Sequence, residues 1–221
     1  MTPPQTLVLP EAGDWRVRVV PNLYPALERQ EVVVHSPGHA RSIAQLGDDQ
    51  LDIVAEAWQR RRASVPDGYM HASINEGRAA GASLPHTHSQ LAWLDTPPQE
   101  EPPRHGEVIV EHEGVVAWCP RVSRVAYETA IAPAGGDQGA FRSELLAPAL
   151  RLLRALVRQL HELEGPTPLN AWVHDGAGGW RVVLFPRLSV LAALELGAGV
   201  YINTLAPEEA AERLRNSLPV E

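Results

Sequence analysis

The chain has 221 residues, enough for one large domain or two small ones around a sizeable core. Apolar residues make up 44% and charged residues 21%, as in a soluble globular protein, and the formal charge of −8 argues against a general nucleic-acid binder, because a phosphate backbone demands a basic surface. The single cysteine, Cys119, excludes an intrachain disulfide and any Cys-x-x-Cys metal knuckle. The opening Met-Thr-Pro-Pro-Gln-Thr has no basic stretch ahead of an apolar one, and no apolar run approaches the roughly 18 residues that span a bilayer. A soluble cytoplasmic protein without nucleic-acid or membrane partners is expected; a nucleotide held locally is compatible with this charge.

Residues 15–20 alternate apolar and charged and read as a half-buried strand, followed by a turn at Pro21-Asn22 and Pro25. Residues 31–35 form a second strand, closed by Ser36-Pro37-Gly38. Asp48 or Asp49 is expected to cap a helix to about Ser64, with Leu51, Val54, Ala55 and Trp58 on its buried face and Arg60, Arg61 and Arg62 on a solvated one. Strands follow at 69–74 and 86–94, then a proline-rich, acidic linker at 96–103. Residues 107–111 and 115–118 read as a hairpin turning near Glu113-Gly114, and residues 128–133 echo residues 31–37. Leucines at helical spacing mark a core helix over 143–164, stopped by Gly165-Pro166. Strands at 169–174 and 180–185 flank a turn at 175–179. A last helix opens with Pro207, Glu208 and Glu209 and runs to about Arg215. The pattern is strand, strand, helix, strand, strand, played twice. It predicts an α+β pseudo-repeat with a largely antiparallel sheet and helices packed on one face, its halves spanning 1–98 and 99–221 as one compact unit.

The most informative run is Asn75-Glu-Gly-Arg-Ala-Ala-Gly-Ala-Ser-Leu-Pro-His-Thr-His-Ser-Gln90. His86 and His88 share one face of an extended segment, because strand side chains alternate. The small residues before them suit a loop whose backbone N–H groups approach an anion closely. An imidazole beside a phosphate cradle points to nucleotidyl or phosphoryl transfer.

These residues carry a resemblance. Asn75-x-Gly77, Gly81-x-Ser83 and His86-x-His88-x-Gln90 resemble the active-site segment of galactose-1-phosphate uridylyltransferases, in the histidine-triad superfamily. Pro21-Asn-Leu-Tyr-Pro-Ala-Leu27 resembles the family's base-contacting turn, and Val33-Val-His-Ser-Pro-Gly-His39 its strand and metal-ligand turn. Pro186-Arg187, Glu195-Leu-Gly, Tyr201-Ile-Asn203 and residues 207–215 resemble its C-terminal segment. The resemblance covers about residues 15–215 and implies a histidine-triad-like fold. It implies His88 as a nucleophile toward an α-phosphorus, with its other nitrogen donating to the main-chain carbonyl of His86. Gln90 would donate to phosphoryl oxygens, and Gly81, Ser83 and Ser89 would belong to the phosphate site. Asn75 would anchor the loop or touch phosphate, Asn22 and Tyr24 would meet the base, and Glu195 would grip sugar hydroxyls, in trans within a homodimer.

The family's N-terminal Cys-x-x-Cys, which joins two histidines on zinc, is missing here; only His39 and His86 match the histidine ligands. No zinc, or a site recruiting His35 or His71, is therefore expected. A second metal-associated His-x-His is replaced by Gly179-Trp180-Arg181, and Ala193-Leu194 precedes Glu195 where the family has glycine and an aromatic. Thr87 and Ser89 stand where the family has proline and glycine. Three functions are implied: a nucleotidyltransferase on a nucleotide sugar or sugar 1-phosphate, a nucleotide-sugar or dinucleoside-polyphosphate phosphorylase with the same nucleophile, or a non-catalytic nucleotide-binding protein. A plain metal-binding role for His86 and His88 is a further alternative.

Overall fold

A computed structural model describes residues 5–99, 105–137 and 139–217. Ten strands form one sheet: β1 (Leu7–Leu9), β2 (Val17–Pro21), β3 (Gln30–Val34), β4 (Tyr69–Glu76), β5 (His88–Leu94), β6 (Gly106–His112), β7 (Val115–Pro120), β8 (Thr129–Pro133), β9 (Leu169–Gly176) and β10 (Gly179–Pro186). Their order across the sheet is β1-β2-β3-β5-β4-β9-β10-β8-β7-β6, and every neighbouring pair is antiparallel. Read from either edge, strands five apart in sequence hold the same position. The two runs of five meet at β4 and β9, where Ser73 faces Trp172 and Asn75 faces Asn170.

Alternation decides which face is covered. On β4, Met70, Ala72 and Ile74 are buried, while Tyr69, His71, Ser73 and Asn75 turn to the other face. Helices α1 (Asp48–Ser64) and α2 (Leu146–Glu164) pack on each other and on the covered face, and α4 (Pro207–Ser217) lies on β6 and β7 beside α2. The apolar faces of α1 and α2 meet as their spacing demands: Leu51, Val54, Ala55 and Trp58 are buried against a core that includes Leu146, Leu150, Leu153, Leu156 and Leu160. A short helix α3 (Ala193–Ala198) carries no buried residue.

Several local expectations change. Gly47 is the N-cap of α1, so Asp48 and Asp49 stand in its first turn, where their charge favours the helix dipole without capping it. The second core helix starts at Leu146, because residues 140–142 form a separate 3-10 turn ending in extended Ser143. Strand β1 and helix α3 were not legible: three residues give no period, and α3 has no buried face. Of the linker, residues 100–103 lie outside the described residues.

Arg61 departs furthest from expectation. It is only 9% exposed, and its Nε and Nη2 donate to the two carboxylate oxygens of Glu31 at 2.7 Å each, a bidentate pair between α1 and β3. Arg60 stays outward beside Glu11 and Glu56. Glu128, which echoes Glu31 at the mirror position, is likewise buried and paired, with Arg124 at 2.7 Å.

Candidate active site

His88, 4% exposed, opens β5 on the uncovered face, opposite Val34 of β3. Two residues on, Gln90 shares that face and lies between Val32 and Ser73. The Nδ1 of His88 is 2.8 Å from the main-chain oxygen of His86. A carbonyl only accepts, so Nδ1 carries the proton and Nε2 keeps its lone pair. Gln90 Oε1 accepts a short hydrogen bond from Gln30 Nε2, which commits the amide oxygen and leaves the nitrogen as donor.

The loop before β5 is held from the other half of the sheet. Asn170 Nδ2 on β9 donates to Asn75 Oδ1 at 2.7 Å and to the carbonyl of Ala80 at 2.8 Å. Gly77, at φ 80° and ψ 151°, takes a conformation reserved for glycine, with the ring of Pro168 directly against it. Replacing Asn170 with alanine frees both acceptors and is expected to lower stability by about 1–2 kcal/mol in urea denaturation. The amides of residues 80, 81 and 82 bond to carbonyls of residues 77 and 78. They close the loop on itself, so the N–H of Gly81 is not the expected anion donor; Ser83, exposed beyond the turn, is not so engaged.

Beneath the nucleophile runs a hydrogen-bond chain that the motif did not reveal. Thr87 and Ser89 flank His88 and both face the core. Ser89, completely buried, lies away from any phosphate that His88 could meet, which removes it from the substrate residues. Its Oγ accepts from Trp58 Nε1 at 2.9 Å and lies 3.0 Å from Nε2 of His35. His35 Nδ1 is 3.1 Å from Thr87 Oγ1, and Thr87 in turn bonds to the Glu76 carboxylate. Glu76 only accepts, so Thr87 donates to it. His35 then donates from Nδ1 and accepts from Ser89 at Nε2, and every hydroxyl direction follows. Burial, then the nearby His88 and His86, hold the His35 imidazole down at about 3. Burial pushes the Glu76 carboxyl up, opposed by bonds from Ser42, the Ile43 amide (2.5 Å) and Thr87.

The donor set does not fit the zinc site implied by the resemblance. The rings of His39 and His86 are 6.2 Å apart, centre to centre. Both nitrogens of His86 face carbonyl oxygens, Nδ1 that of Thr87 at 3.0 Å and Nε2 that of Gly38 at 2.7 Å. Neither His35, tied to two hydroxyls, nor His71, on the uncovered face of β4, joins them. Among the described residues no three His, Cys, Asp or Glu side chains could share a metal. Instead, hydrogen bonds staple residues 35–40 to the two residues before β5: His86 to Gly38, Thr87 N to Ala40 O at 2.8 Å, and His35 N to Thr87 O at 3.3 Å.

The remaining expected contacts sit apart. Asn22 Oδ1 caps its own turn by accepting from Tyr24 N at 3.0 Å, and Tyr24 is 85% exposed. Glu195 folds back on the amide of Ala192 at 2.9 Å, at the start of α3. Bonds from main-chain amides hold its carboxyl below the usual range.

Residues 25–98 match the family model for the N-terminal domain of galactose-1-phosphate uridyl transferase. An ADP-glucose phosphorylase of Arabidopsis thaliana is 23% identical over 91% of this chain and 74% of its own length. A galactose-1-phosphate uridylyltransferase of Thermotoga maritima is 24% identical over 85% of this chain and 73% of its own. The crystal structure of an Arabidopsis thaliana ADP-glucose phosphorylase with bound ADP-glucose superposes with a TM-score of 0.86 at 22% identity, covering 97% of this chain and 86% of that one. The segment that matches the family model holds His88, and the fold is shared with the ADP-glucose phosphorylase almost end to end.

Proposed function

We propose that the protein is a nucleotidyltransferase that passes a nucleotidyl group between phosphate-bearing partners through a bond to His88 Nε2. One observation carries this reading: Nδ1 of His88 is held on the His86 carbonyl, which leaves Nε2 as a neutral nucleophile on the uncovered face. Attack on the α-phosphorus of a nucleotide sugar forms the P–N bond and breaks the P–O bond to the leaving sugar phosphate. The imidazolium so formed keeps its Nδ1 proton on the carbonyl. Gln90, Ser83 and the Asn75 amide are the donors for the phosphoryl oxygens, and their preset orientation replaces solvent around the developing charge.

Residues 1–98 carry this chemistry, and 99–221 supply the second half of the sheet on which it rests. The relatives are named as a uridylyltransferase and a phosphorylase, which supports a nucleotide-sugar donor and leaves either a sugar 1-phosphate or inorganic phosphate as acceptor. A cytoplasmic setting is in keeping with the lone buried cysteine, and among the described residues no helix is long and apolar enough to cross a membrane. Incubation with UDP-glucose, ADP-glucose and diadenosine tetraphosphate in turn, followed by intact mass spectrometry, is expected to show a nucleotidyl adduct on His88 with at least one donor. Absence of adduct and of turnover with all three would leave only nucleotide binding.

A homodimer belongs to the same reading. Leu188, Val190, Leu194, Leu196 (75% exposed), Val200 and Ile202 form an uncovered apolar run around Glu195, of the kind that marks an interface. In sedimentation the chain is expected at twice its mass, and Leu196→Glu at its monomer mass; a monomeric parent would remove Glu195 from any partner's site.

A further inference from the structure

The side chain of Gln30 joins the turn at 22–29 to the face that carries His88. Gln30 ends that turn and opens β3, and its main-chain oxygen accepts from the Asn22 amide at 2.8 Å. Its Oε1 accepts from the Ala26 amide at 2.8 Å, and its Nε2 donates to Oε1 of Gln90. Gln90 is half-buried, two residues beyond His88 on the same side of β5. Ala26, Gln30 and Gln90 thus stand in series.

Direction is what this series decides. A carboxamide keeps nearly the same shape when its oxygen and nitrogen exchange places, so its partners choose the pole it presents. The choice matters at Gln90. Nitrogen outward donates to a phosphoryl oxygen, whereas oxygen outward sets lone pairs against that oxygen's charge. Gln30 cannot make the choice alone, since it is itself a carboxamide. Ala26 can. A main-chain N–H only donates, so it holds the Gln30 oxygen; the Gln30 nitrogen then faces Gln90, and the Gln90 oxygen faces Gln30. Reversing Gln90 alone would set two amide nitrogens against each other, and reversing both would set the Gln30 nitrogen against the Ala26 N–H. The polarity of His88 is set in the same way, by a main-chain carbonyl that only accepts.

We propose that Gln30 is a positioning residue for the transfer: it passes the fixed polarity of the Ala26 amide to Gln90 and so keeps the Gln90 N–H groups toward the phosphoryl oxygens. The assignment rests on the transfer reading above and adds to it the residue that aims one of its donors. Gln30 acts through Gln90 and not on the substrate. Both amides keep their hydrogens, and the bonds made and broken remain those at phosphorus. Alignment set in advance counts most in the transition state, where charge builds on those oxygens.

The test is the rate of adduct formation by rapid quench and intact mass spectrometry, with whichever of UDP-glucose, ADP-glucose and diadenosine tetraphosphate labels the parent. Gln90→Ala is expected to slow the adduct about tenfold or more. Gln30→Met, which has no pole to offer, should slow it by at least about threefold. Gln30→Glu accepts from Ala26 as the parent does and so keeps the turn. It also accepts from Gln90, which turns the Gln90 oxygen outward, and should be slower than Gln30→Met. The deciding measurement is the pair: in protein already carrying Gln90→Ala, Gln30→Met should cost nothing further. Damage to the turn or to β3 would slow both backgrounds alike. Gln30→Met protein at the parental rate, or an equal loss with and without Gln90, overturns the assignment and leaves the transfer reading standing. If no donor labels the parent, the transfer reading falls, and calorimetric affinities for AMP and UMP decide on Gln30. A loss of affinity in Gln30→Met that disappears in Gln90→Ala protein supports its role; unchanged affinity, or no binding by the parent, overturns it.

Discussion

Replacing His88 with alanine is expected to abolish the nucleotidyl adduct and to lower turnover by about 10⁴-fold or more, the scale on which removing a covalent nucleophile acts. The loss should fall on the rate and not on nucleotide affinity, because the side chain is one contact among several to the donor. Intact mass spectrometry and steady-state kinetics on the same preparation read both quantities. His88→Ala protein that turns over at the parental rate with every accepted donor would end the covalent mechanism. The change should spare the fold: His88 is at the open face, and among the described residues its side chain bonds to a main-chain oxygen two residues away.

His35→Leu is expected to act through stability. It strands the Ser89 hydroxyl without an acceptor and takes from Thr87 the donor that completes its bonds, inside the core. An orphaned buried hydroxyl costs about 1–3 kcal/mol, so a loss of about 3 kcal/mol is expected for the pair. In a chain of this size that lowers Tm by about 6–12 °C. His35→Gln, whose amide can donate to one hydroxyl and accept from the other, should recover most of it. The imidazole also gives the protein an acid slope. Folded, it takes a proton only near about 3; unfolded, near about 6.5. Its contribution is thus complete above about pH 6.5 and fades as pH falls toward 3, by about 1.4 kcal/mol per pH unit. Denaturant titrations at pH 7 and pH 5 should show the parent losing about 2 kcal/mol more than His35→Gln does. His71, also held down by burial, adds to the slope in both proteins, and Glu76 and Asp175, pushed up, oppose it in both; the difference isolates His35. Equal slopes in the two proteins would remove the neutral, two-bonded imidazole from the account.

What the sequence disclosed follows from where information is periodic. Strands and helices with one buried face announced themselves through spacing, and the His-x-His-x-Gln motif could be placed on a strand because alternation is local. Long-range partners were not legible. Arg61 sits among three arginines that read as a solvated face, and only the arrival of β3 against α1 turns it inward to Glu31. Ser89 lies within the motif, yet period-2 alternation already turns it away from His88, a signal that was available in the sequence. His35 gave no sign of meeting Thr87 and Ser89, because those residues are 52 and 54 positions away, just before and within β5. The cavity on the uncovered face where β4 meets β9 draws on residues from 71 to 201, which no motif spans.

The strand order that reads alike from both edges has a consequence for how such a sheet is kept soluble. At β4 and β9 each run of five strands ends in a row of main-chain donors and acceptors that would otherwise await any passing strand. Here each closes the other within a single chain, and the outermost strands are of different character: β1, only three residues long, and β6, kinked by an irregular register between Val108 and Val110 and partly covered by α4. The most sociable edges are thus spent on each other in the middle of the molecule, and the ones left facing outward are short or bent.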